Sequence, residues 1–565
     1  MLRTDSGRPV TDQRGKVMKT LIVIPARGGS KRIPRKNVRL MCGRPLIYYA
    51  LQNAKNLREY IDVDIAVSTD DEELGGIVGK LGVTVINRPK ELATDRVTLD
   101  PVINHALLEM EKEHKVKYDT VITMQATSPT LQAQTLKRAI EFFENSEYDT
   151  IISAMNNPHL SWREEEGQIV KNYEKRLNSQ ELPKNYVETG GFLITRRACV
   201  SEAGRIGQKI NIFEISADEA VDIDTEADWI VAESIMKRKK IIFRTVGKPQ
   251  LGMGHIYRCL TFAYKLTGHQ FLFVIDKDSE MGIKKLKESF FPVKVIENDT
   301  EFEQVLAEYK PDILVNDILN TTEAYMKMVI QYADRVVNFE DIGAGAKYAD
   351  AVINALYEKG EKLHNEYYGS KYFCIRDEFL EETPKDFSEE VENVMVIFGG
   401  EDPSDLTGRL YEICKTLHGK YPHVNFHFLI GFAYGNKDKM INDEAHNIYV
   451  HTDVKRVSAY MNKMDLAITS QGRTVYELAS MGVPAIVLAQ NEREAEHVFA
   501  GIQNGFINLG IGSEQDETTI VQTVRWLIDT PKVRKEMRNL QLAREFHKGQ
   551  QRVIRLILGE TEDNN

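Results

Sequence analysis

Cysteine is scarce in this sequence and shows no pattern. The five present, Cys42, Cys199, Cys259, Cys374 and Cys414, form no CxxC pair and have no histidine at metal-ligand spacing. That excludes a zinc-ribbon type of site and a disulfide framework, leaving free thiols in a reducing, cytoplasmic setting as the expectation. An apolar run of about 18 residues is absent as well, so no membrane span is expected, and no charged-then-apolar leader marks a signal peptide. Net basicity is missing too. A formal charge of -11 and a pI near 5.8 argue against a scaffold held on nucleic acid by phosphate contacts. Neither a short-period repeat nor a low-complexity tract occurs, apart from the acidic ending GETEDNN.

What is present is an ordinary globular composition, 42% hydrophobic over 565 residues, enough for about three or four folding units with a large buried core. Residues 1–17 are polar and are expected to form a disordered tail, with the working chain beginning at Met18. Two α/β series follow. In the first, short Val/Ile-rich runs (TLIVI, DIAVST, TVITMQ, DTIISAM, GFLIT) alternate with helical patterns such as LIYYALQNAKNL, predicting a mostly parallel sheet. A basic stretch, MKRKK, then reads as a solvated helix end. The second series starts afresh with KIIFRTV, QFLFVID, ILVND, RVVNFED and DAVINAL. After a polar break it resumes with VMVIFGG, NFHFLIGF, NIYVH, DLAITS and PAIVLAQ. Each half has the size of a Rossmann-like domain. The predicted divisions are 18–240, 241–388 and 389–556, with a tail at 557–565.

Two stretches carry candidate chemistry. The first, VIPARGGSKRIPRKN, follows a strand and joins two glycines to Arg27, Lys31, Arg32, Arg35 and Lys36. Backbone donors plus several cations suit a triphosphate, although the spacing is not that of a Walker loop. About 190 residues downstream, VDIDTEADW places Asp222 and Asp224 either side of one residue. In an extended segment both carboxylates lie on one face and can reach one hard cation. The second stretch is LGMGHIYRC. Gly252 and Gly254 permit a tight strand-to-helix turn, the following helix amides favour an anion, and His255 adds a group that titrates near neutral pH and can act as general base on a water. Far downstream, SQGRTVYELASMGVPAIVL offers Ser470 and Thr474 at a helix start. Glu477 on that helix is placed to accept two ribose hydroxyls, as in nucleotide-sugar enzymes of two-Rossmann build. IFGGEDPSD supplies another glycine turn, Gly399 and Gly400.

From Met18 to about Lys240 the chain resembles the CMP-sialic acid synthetase family of cytidylyltransferases. IPARGGSKRIPRKN, STDDEE, RPKELATD, QATSP, ETGGFLIT and DIDTEADW match in order. The resemblance implies that Arg27 and Lys31 hold the CTP phosphates, Ser30 and Asn37 shape the nucleotide loop, and Arg88 contacts the nucleotide. It further implies that Gln125 meets the sugar acid, that Asp222 and Asp224 hold Mg2+, and that the domain forms a homodimer. The anomeric hydroxyl would attack the α-phosphorus and expel pyrophosphate. Two departures fall where the sugar pocket is expected: QATSPTL lacks the arginine of the usual QPTSPLR, with Arg138 no clear replacement, and TGGFLIT stands for NGAIYI. Both argue against simple N-acetylneuraminate recognition. Trp162 and Tyr186, in the region where family members dimerise and cover the sugar, read first as ordinary packing aromatics.

From about Lys240 to Ile554 the chain is similar to the hydrolase that removes UDP from a 2,4-diacetamido-2,4,6-trideoxy-altrose nucleotide in pseudaminic acid synthesis, a family of MurG-like fold. GMGHIYRCLTFA, VNDI, FEDIG, VIN, IRDEF, FGGEDP and the Glu477 block carry the likeness. It implies that His255 activates the attacking water, with inversion at the anomeric carbon and no cofactor, and that Asp317 and Asp341 support it. QNEREAEH departs from a segment that often reads Asn-Gln. The expected fold class is therefore α/β: an N-terminal Rossmann-like nucleotidyltransferase domain plus a GT-B-like pair of Rossmann-like domains. Two other readings of the second half stay open, a glycosyltransferase and an inactive nucleotide-sugar-binding module.

Overall fold

The computed structural model describes residues 18–248, 253–358, 363–400, 402–431, 434–452 and 454–560. It divides into two compact units, Met1–Arg238 and Lys239–Asn565.

In the first unit the strands are β1 (Thr20–Pro25), a short ribbon of β2 (Leu40–Met41) and β3 (Arg44–Pro45), β4 (Val63–Thr69), β5 (Thr84–Asn87), β6 (Thr120–Met124) and β7 (Thr150–Asn156). A second ribbon of β8 (Trp162–Glu165) and β9 (Gln168–Lys171) follows, then β10 (Tyr186–Arg196) and β11 (Ile210–Glu214). Seven of them form one sheet in the order β11-β7-β10-β6-β1-β4-β5. All pairs are parallel except those of β10, which runs antiparallel to both β6 and β7. The run TLIVI is apolar throughout because the sheet is covered on both faces: Ile22 and Ile24 enter one core while Leu21 and Val23 enter another.

The second unit holds two further sheets. β12 (Lys240–Thr245), β13 (Gln270–Asp276), β14 (Val293–Ile296), β15 (Ile313–Asp317), β16 (Arg335–Phe339), β17 (Ala351–Asn354) and β18 (Glu366–Tyr368) make the first. β19 (Asn393–Ile397), β20 (Asn425–Ile430), β21 (Ile448–Thr452), β22 (Leu466–Thr469), β23 (Ala485–Ala489) and β24 (Phe506–Ile511) make the second. Their orders, β14-β13-β12-β15-β16-β17-β18 and β21-β20-β19-β22-β23-β24, both follow the doubly wound pattern that starts at a central strand and reverses beside it. Every pair is parallel. The unit is thus a GT-B-like pair of Rossmann-type halves. Aromatic stacking joins them: the Tyr476 ring lies 3.8 Å from Phe373 and 4.2 Å from Phe499. The C-terminal helix Gly549–Leu558 returns to the first half, where Arg335 donates to the Leu556 carbonyl at 3.0 Å. A side chain at Gly549 would come within 2.1 Å of the Phe373 carbonyl, so glycine is needed where this helix begins. The stretch 389–556 therefore ends in a helix packed on the other half.

Candidate functional sites

In the first unit the cation loop leaves β1 and is fixed at both ends. The Gly28 amide donates to Asp70 at 3.1 Å, and the Asn37 side chain donates to the Arg27 carbonyl at 3.0 Å. A Cβ on Gly28 would lie 2.5 Å from an Asp71 oxygen, whereas one on Gly29 would meet nothing within 4 Å. The first glycine is required by packing, and the second leaves backbone open to a ligand. The cations are not idle. Arg27 and Lys31 both pair with Asp95, at 2.8 and 2.6 Å; Arg32 and Lys36 pair with Asp224, at 3.2 and 3.3 Å; Arg35 pairs with Asp71 at 2.5 Å. Arg88 is buried and donates to the Ser68 hydroxyl and carbonyl, at 3.2 and 2.7 Å. It braces the end of β4, and burial lowers its pKa. Ser30 is half-buried within the loop.

Apolar contacts that the motif reading overlooked bring the acidic motif to this loop. Ile33, inside the cation loop, is 1% exposed and clusters with Ile223, Trp229 and Leu46. Ile223, fully buried in that cluster, sits between Asp222 and Asp224 in the chain and so anchors both beside the loop. Lys36 also donates to the Ile223 carbonyl, 187 positions away in the chain. The signal was legible as the single apolar residue in SKRIPRKN. Asp222 has one carboxylate oxygen, Oδ1, that is buried without a hydrogen-bond partner. Burial raises its pKa; a hydrogen bond with Thr127 opposes that shift and Asp224 adds to it. Gln125 and Asp222 converge on Gly190, where a Cβ would stand 3.0 Å from each side chain. Gly190 has φ +67° and lies in the irregularity of β10 between Glu188 and Leu193, which explains the paired glycines of ETGGF. An orphaned carboxylate oxygen beside a second carboxylate suits a divalent cation that takes one or two carboxylates and completes its shell with phosphate and water. Arg138 is bound to Thr135 at 3.0 Å. Trp162, on the exposed β8–β9 ribbon, and Tyr186, the first residue of β10, are not packed as expected but are 56% and 40% exposed.

In the second unit the chemistry gathers at the carboxyl ends of the parallel strands, where open α/β sheets bind ligands. Gly252 lies outside the described residues. Gly254 opens the helix Gly254–Lys265, and a Cβ there would be 3.6 Å from the Arg473 guanidinium, an ordinary contact. His255 is buried, and its Nδ1 lies 2.6 Å from Oδ1 of Asp317, the fully buried last residue of β15. Arg258, one turn beyond His255, donates from Nε to Asp317 Oδ2 at 2.7 Å and from Nη1 to Glu340 at 2.6 Å. The same Glu340 oxygen accepts from Arg473 of the opposite half at 2.6 Å. Burial acts to raise the Asp317 pKa, but Arg258 and His255 outweigh it and hold the carboxyl below its usual range. Glu340 adopts φ +51°, uncommon for a side chain of its size. Arg258, Glu340 and Arg473 were missed by motif reading. The i, i+3 spacing of His255 and Arg258 was the available clue, since it places both on one helix face.

Asp341 stands apart from this dyad. It accepts from Thr321, Asn338 and the Gly343 amide, at 2.6, 2.7 and 2.8 Å, and so organises a loop. Glu477, on the helix Thr474–Met481, is held by Arg376 at 2.9 Å; burial raises its pKa and Arg376 opposes that. Ser470 is buried in the turn just before that helix. Gly399 has φ +78°, and Cβ atoms on Gly399 and Gly400 would meet nothing within 4 Å, leaving their backbone open. Gly431, not singled out from the sequence, makes room for this turn: a Cβ on it would lie 2.2 Å from the Gly399 carbonyl.

A family model described as "Cytidylyltransferase" matches residues 21–230. The pseudaminic acid cytidylyltransferase of Campylobacter jejuni is 33% identical over 230 residues, 39% of this chain and 97% of that protein. The uncharacterized protein MJ1062 of Methanocaldococcus jannaschii is 29% identical over 279 residues, 46% of this chain, which thus spans only 57% of that relative. Among solved structures, MurG of Acinetobacter baumannii is similar at 16% identity with a TM-score of 0.43, over 57% of this chain and 99% of that one.

Proposed function

We propose that this chain, which belongs to the cytidylyltransferase family through residues 21–230, is a cytoplasmic bifunctional enzyme. Its first unit would activate a nonulosonic acid of pseudaminic type with CTP, and its second would hydrolyse a UDP-sugar. The observation that carries the first activity is the unpartnered Asp222 oxygen, set beside Gln125 and Gly190 and tied to the cation loop through Ile33 and Ile223. Arg27, Lys31 and the open backbone at Gly29 neutralise and orient the triphosphate. The sugar hydroxyl held near Gln125 bonds to the α-phosphorus through its oxygen, its proton passes to solvent, and the bond to pyrophosphate breaks. Asp222 and Asp224 would hold magnesium, which supplies further neutralisation of phosphate charge. Positioning and preset charge are the means by which such a transfer is accelerated. The exposed β8–β9 ribbon supports a homodimer formed through this unit, as the resemblance implies.

For the second unit the supporting observation is the buried contact between His255 and Asp317. With Asp317 accepting from Nδ1–H, the lone pair sits on Nε2, the tautomer a general base needs. Nε2 takes a proton from a water whose oxygen bonds to the anomeric carbon. The carbon–oxygen bond to UDP breaks, UDP leaves as the anion, and His255 later returns its proton to solvent. The helix start at Thr474, with Ser470, Gly399 and Gly400 nearby, supplies amide donors for the diphosphate, and Glu477 takes the ribose hydroxyls once it exchanges Arg376 for them. The two reactions are not consecutive, because the freed sugar must gain a three-carbon unit before it is the acid that CTP activates. A substrate panel tests the proposal: pseudaminic, legionaminic and N-acetylneuraminic acids with CTP, and the matching UDP-sugars with water alone. Pyrophosphate from pseudaminic acid and UDP without any added acceptor are the expected products. UDP release that needs an acceptor would replace hydrolysis by glycosyl transfer.

A further inference from the structure

We propose that Arg493 is an anion-binding residue in the cleft of the second unit and takes an anionic oxygen group of the ligand beyond the α-phosphate. That group is either the distal phosphate of a nucleoside diphosphate or a carboxylate on the sugar it carries. The inference rests on the nucleotide-sugar reading of this unit and names a determinant of its ligand.

Arg493 lies on the short helix Glu492–Ala495, just past the carboxyl end of β23, the strand next to the one that leads into Ser470. It is held between the two halves by neutral groups. Nε donates to the Tyr357 hydroxyl of the first half at 3.1 Å. The Tyr357 ring meets His497 edge-on at 5.1 Å, and His497 Nδ1 lies 2.7 Å from the Gln471 carbonyl. The Val498 amide donates to the Leu356 carbonyl at 3.2 Å, closing the same contact through the backbone. The guanidinium is therefore aimed, yet its Nη2 is buried without a hydrogen-bond partner.

The contrast with its neighbours is chemical. Arg258 and Arg473 share Glu340, and Arg376 holds Glu477. No ion pair is found for Arg493 among the described residues. Glu340 and Glu496 act on Tyr357 and His497 electrostatically, but Glu340 is already shared by two other guanidinium groups. A buried donor without an acceptor is disfavoured, and native proteins rarely keep one unless something else binds there. A guanidinium presents paired donors that match a phosphate or carboxylate edge, which a neutral sugar hydroxyl matches poorly.

The test is calorimetric titration of the full chain with UMP, UDP, UDP-N-acetylglucosamine and UDP-glucuronate, for the wild type, R493Q and R493K. If the distal phosphate is the partner, R493Q weakens UDP by about ten-fold or more and leaves UMP unchanged, and R493K recovers part of the loss. If a carboxylate is the partner, UDP-glucuronate alone loses its advantage over UDP-N-acetylglucosamine. Binding of all four within about two-fold of wild type would overturn the proposal, as would an equal loss on all four, UMP included. Should R493Q fail to fold, R493K is read alone by the same criteria. A wild-type chain that binds none of the four contradicts the nucleotide-sugar reading and this site with it; a wild type that binds UDP while R493Q is indifferent contradicts only the site.

Discussion

The two sites hold their charges in opposite ways. In the first unit two of the loop cations stand at the surface: Lys31 and Arg32 are 83% and 71% exposed, and each leans on a carboxylate that is itself about half exposed. Such pairs are worth about 0–1 kcal/mol and rearrange readily, so a triphosphate can displace the carboxylates at small cost. In the second unit His255, Arg258, Asp317 and Glu340 are all buried. With a neutral imidazole, Arg258 and Arg473 balance Asp317 and Glu340, so the cluster is electrically closed before a ligand arrives. A surface that must accept a large anion keeps its cations loosely engaged. A group that must stay aimed at one atom is fixed by neighbours that cannot let go.

Breaking the buried cluster should have the largest effect. Asp317→Asn takes the charged partner from buried Arg258 and from His255, and chemical denaturation should show a destabilisation of about 3–5 kcal/mol together with loss of UDP release. The sign of the pH dependence follows from the same contacts. Because the Asp317 pKa is depressed in the folded state, its contribution is fully present above the ordinary carboxylate range and disappears only as pH falls below that range toward the depressed value. Next in size is Ile33→Ala, which removes no charge. Loss of buried volume between Ile33, Ile223 and Trp229 should cost about 2–5 kcal/mol in the first unit. It should also raise the CTP concentration needed for pyrophosphate release, and unchanged CTP dependence would show that this cluster does not connect the cation loop to Asp222.

A smaller effect is expected in the pH profile of the first activity. Asp222 must be ionised to serve a cation, and burial raises its pKa. At limiting magnesium, pyrophosphate release should therefore fall on acidification at a pH above about 4, the ordinary aspartate value, and saturating magnesium, which opposes the burial shift, should move that fall to lower pH. Smallest of all, Glu226→Gln breaks an exposed pair with Arg39 that measures 2.6 Å and should change stability by less than about 1 kcal/mol, with the difference shrinking further at high salt.

The same contrast governs what the sequence disclosed. Every central strand was readable, because a strand covered on both faces must be apolar at nearly every position, as in TLIVI and PAIVLAQ. Of the three large sheets, the strands that escaped, β5, β11, β14, β18 and β24, are all edges. β14 buries only one of its four residues fully and β11 none, so their composition carries little signal. The reversed direction of β10 was equally invisible, since a strand's apolar run does not record its partner's direction. Among candidate site residues, local spacing brought forward the two glycine loops, the alternating Asp222 and Asp224, and His255, whereas Asp317 entered only through the resemblance. Those defined only by long-range packing were not found. Ile33 depends on Ile223, and Glu340 acquires meaning from Arg258 on one side and Arg473 on the other.

The central claim is that one chain carries two nucleotide sites that work separately, and a crossed pair of substitutions in the full-length protein tests it most directly. His255→Asn should abolish UDP release from the UDP-sugar and leave CTP-dependent pyrophosphate release at its wild-type rate; Asp222→Asn should do the reverse. Persisting UDP release in His255→Asn, or loss of both activities from either substitution, would contradict the account.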